Sequence, residues 1–440
     1  MASAPAPVKE LVVLTRNDAT TYYLDTNGQP AGLEYDLVTL FAEETGVAVR
    51  WQVVQRMSEV QEGLLKGKAQ LAVGMARQMP GVEQLRFGPV YQRVTPVVAY
   101  AGEMPPVQSL SDLQTQPPRV IAGSAAEGVL LSLKQANPQL AWTAIEEQSA
   151  EELLESLADG HTGAVVTESH LLAGMRRFYP ELQQGMVLPK PIELAWAYRP
   201  DASSAFQKQV AQFFQRIEQN GTLKRLLDRY YGHLHRLQPV DVEAFLQQRL
   251  TVLPKYRKWF QDAQVLTGVD WRLLASLGYQ ESHWNPFAVS PMGVRGLMML
   301  TGETADRMGV TDRSDSKQNI MAGARYLQML HDDLPPQIGE PDRSWMALAA
   351  YNIGIGHLAD ARMLARMQKL DQNAWTDLKT TLVQLRNPKW VPKTRYGYAR
   401  GGETVIFVEN VRTYYDILSR LEPALELPLL ATSTAPAAAP

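Results

Sequence analysis

Across roughly the first 235 residues, short strand-like runs alternate with helix-like ones, and this switching period limits the fold more than any other feature. Leu11-Val12-Val13-Leu14 is followed by a helical stretch from Glu34 to Thr45 and then by Val49-Arg50-Trp51-Gln52-Val53-Val54. A short helix near Met57 to Lys66 leads into Gln70-Leu71-Ala72-Val73-Gly74-Met75. A second set starts at Arg119-Val120-Ile121-Ala122-Gly123-Ser124, continues through a helix near Glu127 to Ala136, and reaches Gly163-Ala164-Val165-Val166-Thr167-Glu168. Glu193-Leu194-Ala195-Trp196-Ala197-Tyr198 and two helical segments, Ala205 to Glu218 and Gly221 to Tyr230, complete it. Such alternation specifies parallel α/β units. Two sets, with the chain crossing between them near residues 100–108 and 188–195, predict a hinged domain of two lobes around a cleft.

Past that region the character of the chain changes, so a multidomain chain is expected, α/β first and, on the resemblance its motifs carry, mainly α second. A length of 440 residues supports more than one domain. The expected division is a tail over 1–7, a two-lobed domain over 8–237, a linking segment over 238–252, a helical domain over 253–425 and a disordered tail over 426–440. Lobe 1 is expected over about 8–100 and 195–237, and lobe 2 over about 105–190. The final stretch is rich in Ala, Pro, Thr and Ser, which bury too little apolar surface to order a chain.

A net charge of −3 and a pI near 6.2 argue against a nucleic-acid partner, which calls for a basic face. No apolar run is long enough to span a membrane. The first seven residues lack a basic n-region and an apolar h-region, and read as a tail rather than a signal peptide. The absence of cysteine excludes a disulfide framework and a zinc–thiolate site. The histidines show no metal-ligand spacing, so neither metal nor other cofactor is expected.

Within the helical half, the segment from Asp270 places Leu274, Leu277, Gly278 and Glu281 at i, i+3, i+4 and i+7. A carboxyl group therefore stands where the pattern calls for a core residue. Desolvation raises a carboxyl pKa, and a carboxyl that is neutral at pH 7 can act as a general acid. The plainer reading is a solvent-facing glutamate at a helix end. Downstream come Ser290-Pro291-Met292-Gly293-Val294-Arg295-Gly296-Leu297-Met298-Met299-Leu300-Thr301 and Ala349-Ala350-Tyr351-Asn352-Ile353-Gly354.

Glu-Ser, Gly-Leu-Met and Ala-Tyr-Asn-x-Gly, in that order, resemble the catalytic domain of the soluble-type lytic transglycosylases over about Leu253 to Leu421. The resemblance implies a lysozyme-like fold and a peptidoglycan glycan strand as substrate. It implies that Glu281 is the only catalytic carboxyl, acting as acid and then as base. Ser282, Ser290, Gly296, Leu297, Met298, Met299, Tyr351 and Asn352 would form the substrate groove. Ser282 would either orient the Glu281 carboxyl or cap the following turn. Asn352 would pin backbone more than touch substrate. The wider family has Gln where this chain has Met299, and Tyr where it has Phe407, so subsite preferences do not carry over.

The first half resembles bacterial periplasmic solute-binding proteins of the polar amino-acid type. The matching runs are Gly32-Leu33-Glu34-Tyr35-Asp36-Leu37, Phe87-Gly88-Pro89-Val90-Tyr91, Gly123-Ser124-Ala125-Ala126 and Gly221-Thr222-Leu223. That family clamps a ligand carboxylate with Thr and Arg, whose places here hold Gln78 and Gly81. Arg77 or Arg86 is the expected substitute. The ammonium-binding carboxylate maps onto Glu168, Ser124 and Gly123 offer helix N-terminal N–H groups, and Tyr22 and Tyr23 offer an aromatic wall. An amino-acid-like ligand or a muropeptide is expected in this cleft. Together the resemblances imply a periplasmic enzyme, peripheral at the inner face of the outer membrane, regulated by a sensor domain.

Two other functions fit the same residues. One is a receptor for a solute or muropeptide that binds peptidoglycan without cleaving it. The other is a lysozyme-type hydrolase, which needs a second carboxylate. Glu303, Asp306 and Glu403 are the candidates for that group.

Overall fold

The computed structural model describes residues 10–18, 21–24, 28–102, 104–234, 237–290 and 293–425. The tails expected over 1–7 and 426–440, the start of the first domain at 8 and 9, and Pro291-Met292 lie outside the described residues. The chain separates into two compact units, Met1–Leu246 and Gln247–Pro440.

The first unit runs β1 (Glu10–Arg16), β2 (Tyr23–Leu24), β3 (Pro30–Ala31), α1 (Leu33–Thr45), β4 (Ala48–Val54), α2 (Met57–Leu65) and β5 (Leu71–Ala72). It continues β6 (Arg86–Val94), β7 (Pro96–Ala101), α3 (Leu110–Thr115), β8 (Arg119–Ile121), α4 (Ala125–Ala136), β9 (Thr143–Ile145) and α5 (Ala150–Ala158). Then come β10 (Val165–Glu168), α6 (Ser169–Met175), β11 (Leu182–Val187), β12 (Ile192–Tyr198), α7 (Ser204–Gln219), α8 (Thr222–Tyr231) and α9 (Pro239–Thr251), the last of which contains the unit boundary.

Two five-stranded sheets result, in the orders β4-β1-β5-β12-β6 and β11-β7-β10-β8-β9. β1 pairs parallel with β4 and β5, and β8 parallel with β9 and β10. The unbroken apolar run of β1 is buried from Leu11 to Thr15, as a central parallel strand covered on both faces requires. α1 turns Leu33, Leu37, Val38 and Phe41 inward, and the Phe41 ring packs edge-on against Trp196 and Phe213. Along β7, Val98 joins the larger core while Val97 and Ala99 join a smaller one with Leu153, Leu154 and Val165.

The first crossing between sheets falls at Thr95, not at the expected residues 100–108. β6 ends at Val94 in one sheet and β7 starts at Pro96 in the other. Without turn residues, 86–101 looks like one long strand. The break is carried by Pro96, which lacks an N–H and is tolerated at the start of a strand. The return passes through residues 188–191.

The second unit is helical: α10 (Arg257–Thr267), α11 (Trp271–Ser282), α12 (Gly302–Arg307), α13 (Ser316–Asp332), α14 (Asp342–Ile353), α15 (Ile355–Met367), α16 (Trp375–Gln384) and α17 (Gly401–Leu421). α11 packs against α10 and α17 and is buried from Trp271 through Tyr279. Asp270 caps its start by accepting from the Arg272 N–H at 2.8 Å. His283 (φ 53°) and Trp284 (φ 57°) end it in left-handed backbone that non-glycine residues rarely adopt. Trp284 is held there by burial, by its indole N–H on the Ala275 carbonyl at 2.8 Å, and by its ring against Tyr279.

In the first unit, α4 lies on the loop after β5. A Cβ on Gly128 would sit 1.6 Å from the Gln78 carbonyl oxygen. Gln78 in turn accepts from the Glu193 N–H at 3.1 Å and donates to the Pro191 carbonyl at 3.3 Å. Gly128→Ala is expected to push α4 off this loop and lower stability by about 2 kcal/mol. An unchanged melting temperature would show that the helix backs away freely.

Candidate active site and ligand cleft

Glu281 stands one residue before the end of α11, and burial is what changes its chemistry. The residue is half-buried, and loss of water alone pushes its carboxyl up to about 8 from an ordinary 4.5. No hydrogen bond or ion pair to this carboxyl is present among the described residues. Its neighbour Ser282 shares its one hydroxyl proton between the Leu297 carbonyl at 2.7 Å and the more distant Gly278 carbonyl at 3.2 Å. Of the two roles expected for Ser282, orienting Glu281 is therefore not the one it performs. It ties the end of the helix to the Gly296–Met299 loop.

That loop lies against α11 one turn before Glu281. A Cβ on Gly278 would meet the Leu297 Cδ2 at 2.8 Å and the Met298 sulfur at 3.1 Å. Leu297 and Met298 are fully buried. Their side chains are core, a correction to the expectation that they line the groove, because the helix lacks side chains where the loop packs. Met299 is partly exposed at φ 47°. Gly296 (φ 86°) is needed for packing, since a Cβ there would lie 2.2 Å from the Arg313 carbonyl oxygen. Ser290 accepts from the Val294 N–H at 3.2 Å.

Tyr351, near the end of α14, donates its hydroxyl proton to the Met298 carbonyl at 2.7 Å. Burial, and next the charge of Glu281, raise this phenol well above the usual tyrosine range. The structure thus brings Tyr351 and Glu281 together. Asn352 is exposed and accepts from the Thr404 hydroxyl at 2.7 Å, which joins α14 to α17. Asn319 on α13, unremarked in the sequence, is fully buried, and its amide holds the Met298 N–H at 2.6 Å. Its only signal was a polar residue on the apolar face of a helix. Glu303, Asp306 and Glu403 are all exposed, and Glu403 lies 3.5 Å from Arg400.

In the first unit a cavity of about 80 Å³ opens where strands of both sheets end, lined among others by Arg16, Asp18, Ser124, Glu168 and His170. The carboxyl ends of parallel strands are where α/β sheets receive ligands. Glu168 is pushed up to about 8, first by burial and then by the charge of Asp18, and His170 Nε2 lies 3.5 Å from it. Arg16 donates to the Gln148 carbonyl at 3.4 Å, and its buried Nε has no hydrogen-bond partner among the described residues.

Four expected cleft residues lie elsewhere. Arg77 donates to the Gly88 carbonyl at 3.1 Å and lies over the Phe87 ring. Tyr22 packs in a cluster with Tyr35 and Trp51, and Tyr23 sits in the β2–β3 ladder. Arg86, the other candidate clamp, donates to the Pro200 carbonyl. Ser124 lines the cavity, but its hydroxyl caps α4, and the Gly123 and Ser124 N–H groups bind Glu127 and the Ile121 carbonyl. The expected anion cradle is thus satisfied internally. Arg16, which was missed, was legible as a cation ending a buried strand.

A family model for the Transglycosylase SLT domain matches residues 258–374, and one for Bacterial extracellular solute-binding proteins, family 3, matches residues 11–233. Membrane-bound lytic murein transglycosylase F of Methylobacillus flagellatus is 45% identical over 95% of this chain and 90% of that protein. The protein of the same name from Nitrosospira multiformis is 46% identical over 94% of this chain and 86% of its own length. The chain belongs to the membrane-bound lytic murein transglycosylase F family. In this chain an SLT transglycosylase domain follows a solute-binding domain. An ancestral arginine-binding protein bound to arginine aligns with 51% of this chain and 98% of its own, at 18% identity and a TM-score of 0.45.

The raised carboxyl of this lytic murein transglycosylase fixes a pH dependence. Folded Glu281 keeps its proton up to about pH 8, whereas the unfolded group releases it near 4.5. The folded chain holds the extra proton in that window, so this contribution to stability is full below about 4.5 and lost as pH rises through about 8. Glu281→Gln, neutral throughout, is expected to be more stable than the parent above about pH 8, on the order of 2 kcal/mol after allowing for partial exposure. Thermal melts of both chains across pH check this; parallel curves would exclude a raised carboxyl.

Proposed function

We propose that Glu281 cleaves the β-1,4 bond between N-acetylmuramic acid and N-acetylglucosamine, leaving 1,6-anhydromuramoyl ends. A single observation carries this reading: an uncompensated, half-buried carboxyl that holds its proton at pH 7, on the SLT domain of a lytic murein transglycosylase. Glu281 gives that proton to the glycosidic oxygen as the bond from the muramic C1 breaks. The electron-poor C1 is held by groups of the sugar itself. The carboxylate left behind then takes the proton of the muramic C6 hydroxyl as its oxygen bonds to C1, which closes the ring. Glu281 ends protonated, and no water is consumed. A hydrolase would need a second carboxylate in place beside the glycan, whereas the one-carboxyl route needs Glu281 alone.

Mass spectrometry of products from purified peptidoglycan tests this directly. The parent chain is expected to release anhydro-muropeptides, and Glu281→Gln to lose activity by about a thousandfold or more. Reducing ends, heavier by one water, would make the enzyme a hydrolase. Full activity in Glu281→Gln would end the assignment of the acid.

The N-terminal cleft, on this reading, binds an amino-acid-like group or the stem of a muropeptide and regulates cleavage. Arg16 suits a ligand carboxylate, and Asp18 with Glu168 suits an ammonium. A ligand shifts a conformational equilibrium only by its difference in affinity for the two states. A saturating ligand at about a hundred times its Kd should stabilise the first unit by about 2.7 kcal/mol and change the cleavage rate. Binding that leaves the rate untouched would rule out regulation. The relatives' names place them at a membrane, and no described helix is long and apolar enough to cross one. We propose a periplasmic location, peripheral at the inner face of the outer membrane, from the membrane-bound relatives and the extracellular type of the solute-binding domain.

A further inference from the structure

The loop between α16 and α17 gathers positive charge in a chain that is acidic elsewhere. From Arg386 to Arg400 the sequence carries five basic residues and no acidic one, although the whole chain has a net charge of −3. Arg386, Lys389, Lys393, Arg395 and Arg400 are all exposed. Arg400 lies 3.5 Å from Glu403, and the other four have no ion pair among the described residues. Aromatic rings stand between these cations. The Lys389 and Lys393 Nζ atoms lie 5.3 and 4.7 Å from the centre of the half-buried Trp390 ring. The Arg395 Cζ lies 5.5 Å from the centre of the Tyr396 ring. Tyr396 is 51% exposed and Tyr398 59%.

The loop is held in shape by bonds of its own. Its two ends are joined by the Ala399 N–H on the Leu385 carbonyl at 3.1 Å. The buried Asp360 carboxylate, on α15, accepts the Arg395 N–H at 2.9 Å and the Tyr396 N–H at 2.8 Å. The Tyr396 ring rests on Gly356, where a Cβ would lie 2.8 Å from it. Little ordering of backbone is therefore left to be done when a partner arrives.

Cations with Trp and Tyr set among them suit a lipid headgroup layer. The cations meet anionic phosphates, and the ring bodies enter the apolar boundary beneath. A chain of net negative charge is repelled by such a layer unless a basic strip faces it. An extended strip of exposed charge also matches a sheet of many like phosphates, which asks for no concave site. No described helix is long and apolar enough to cross a membrane, and a peripheral position calls for a surface contact.

We propose that the loop from Arg386 to Arg400 docks on a bilayer surface of anionic phospholipid. The role rests on the peripheral membrane location above and deepens it by naming the surface that makes the contact.

Flotation of the full chain with vesicles tests this. The parent is expected to float with phosphatidylethanolamine vesicles carrying about 30% phosphatidylglycerol at about 0.1 M salt, and to stay behind at about 0.5 M salt. It is also expected to stay behind with vesicles of phosphatidylcholine alone. Lys389→Glu with Lys393→Glu should weaken partition by at least about twentyfold, since each cation near the surface contributes about fivefold. Tyr398→Ser, which removes only an apolar contact, should weaken it about threefold. Lys389→Gln with Lys393→Gln takes the place of the charge reversal if melting shows that the latter does not fold. Equal flotation of parent and charge variant would overturn the docking role and leave the peripheral location standing. Equal flotation of the parent with phosphatidylcholine would do the same. A parent that floats with no vesicle would remove the location as well. A charge variant that still floats but no longer sediments with purified peptidoglycan would overturn the proposal and give the loop to the carboxylates of the stem peptides.

Discussion

Most of the C-terminal unit can be understood from the problem of keeping one carboxyl out of water with nothing to compensate it. Desolvation of Glu281 is unfavourable for the charged form, so the group holds its proton and the surrounding structure must do the positioning that an ion pair would otherwise do. The apolar helix α11, the missing side chain at Gly278 and the buried Leu297 and Met298 supply that structure. The left-handed His283 and Trp284 then end the helix at once, which leaves the carboxyl at its tip. The strained backbone is held by the buried indole of Trp284 and its bond to Ala275.

The alternation up to residue 235 was enough to read the class of the first half and corresponds to two mixed sheets, whereas the helical class of the second half came from the resemblance of its motifs. What they could not convey was which side chains face outward at a turn. Leu297 and Met298 belong to a motif string, but their burial depends on Gly278 and Gly323, which are distant in sequence. Asn319 was hard to read for the same reason: two of its partners, Met298 and Arg295, are backbone groups from a loop beyond α12. The crossing at Thr95 was missed because two consecutive strands of different sheets share one composition. Arg16 was missed because the family pattern directed attention to Arg77, whereas geometry favours the end of β1.

Buried carboxyls in this chain fall into two groups by their partners. Glu34 accepts from Tyr91, from the Trp196 indole at 2.8 Å and from the Gly74 N–H at 2.9 Å. Glu409 meets the Trp375 indole at 2.8 Å and Arg412 at 3.0 Å, and Glu422 meets Arg249 at 2.9 Å and Arg257 at 2.6 Å. Each is supplied with donors and holds elements together, although burial still raises the Glu34 carboxyl above its ordinary range. Among the described residues Glu281 has no such donor, and Glu168 has only His170 at 3.5 Å and the like charge of Asp18. These two are the carboxyls pushed up to about 8.

The contrast gives a reason to connect the cleft with the enzyme beyond their fusion in one chain. A carboxyl left without donors lowers stability at neutral and higher pH, and a fold that retains it does so against its own interest. On the proposed mechanism the compensation in the second unit is a glycosidic oxygen that takes the proton. In the first unit the matching compensation would be a ligand cation beside Glu168 and Asp18, which would favour the ionised carboxyl and relieve the repulsion between the two. Such a ligand stabilises the state that holds both acids around it and leaves any more open state unaffected, which is the differential affinity that regulation requires. A saturated site, with Glu168 already bonded as Glu34 is, would bind without that difference and could transmit nothing.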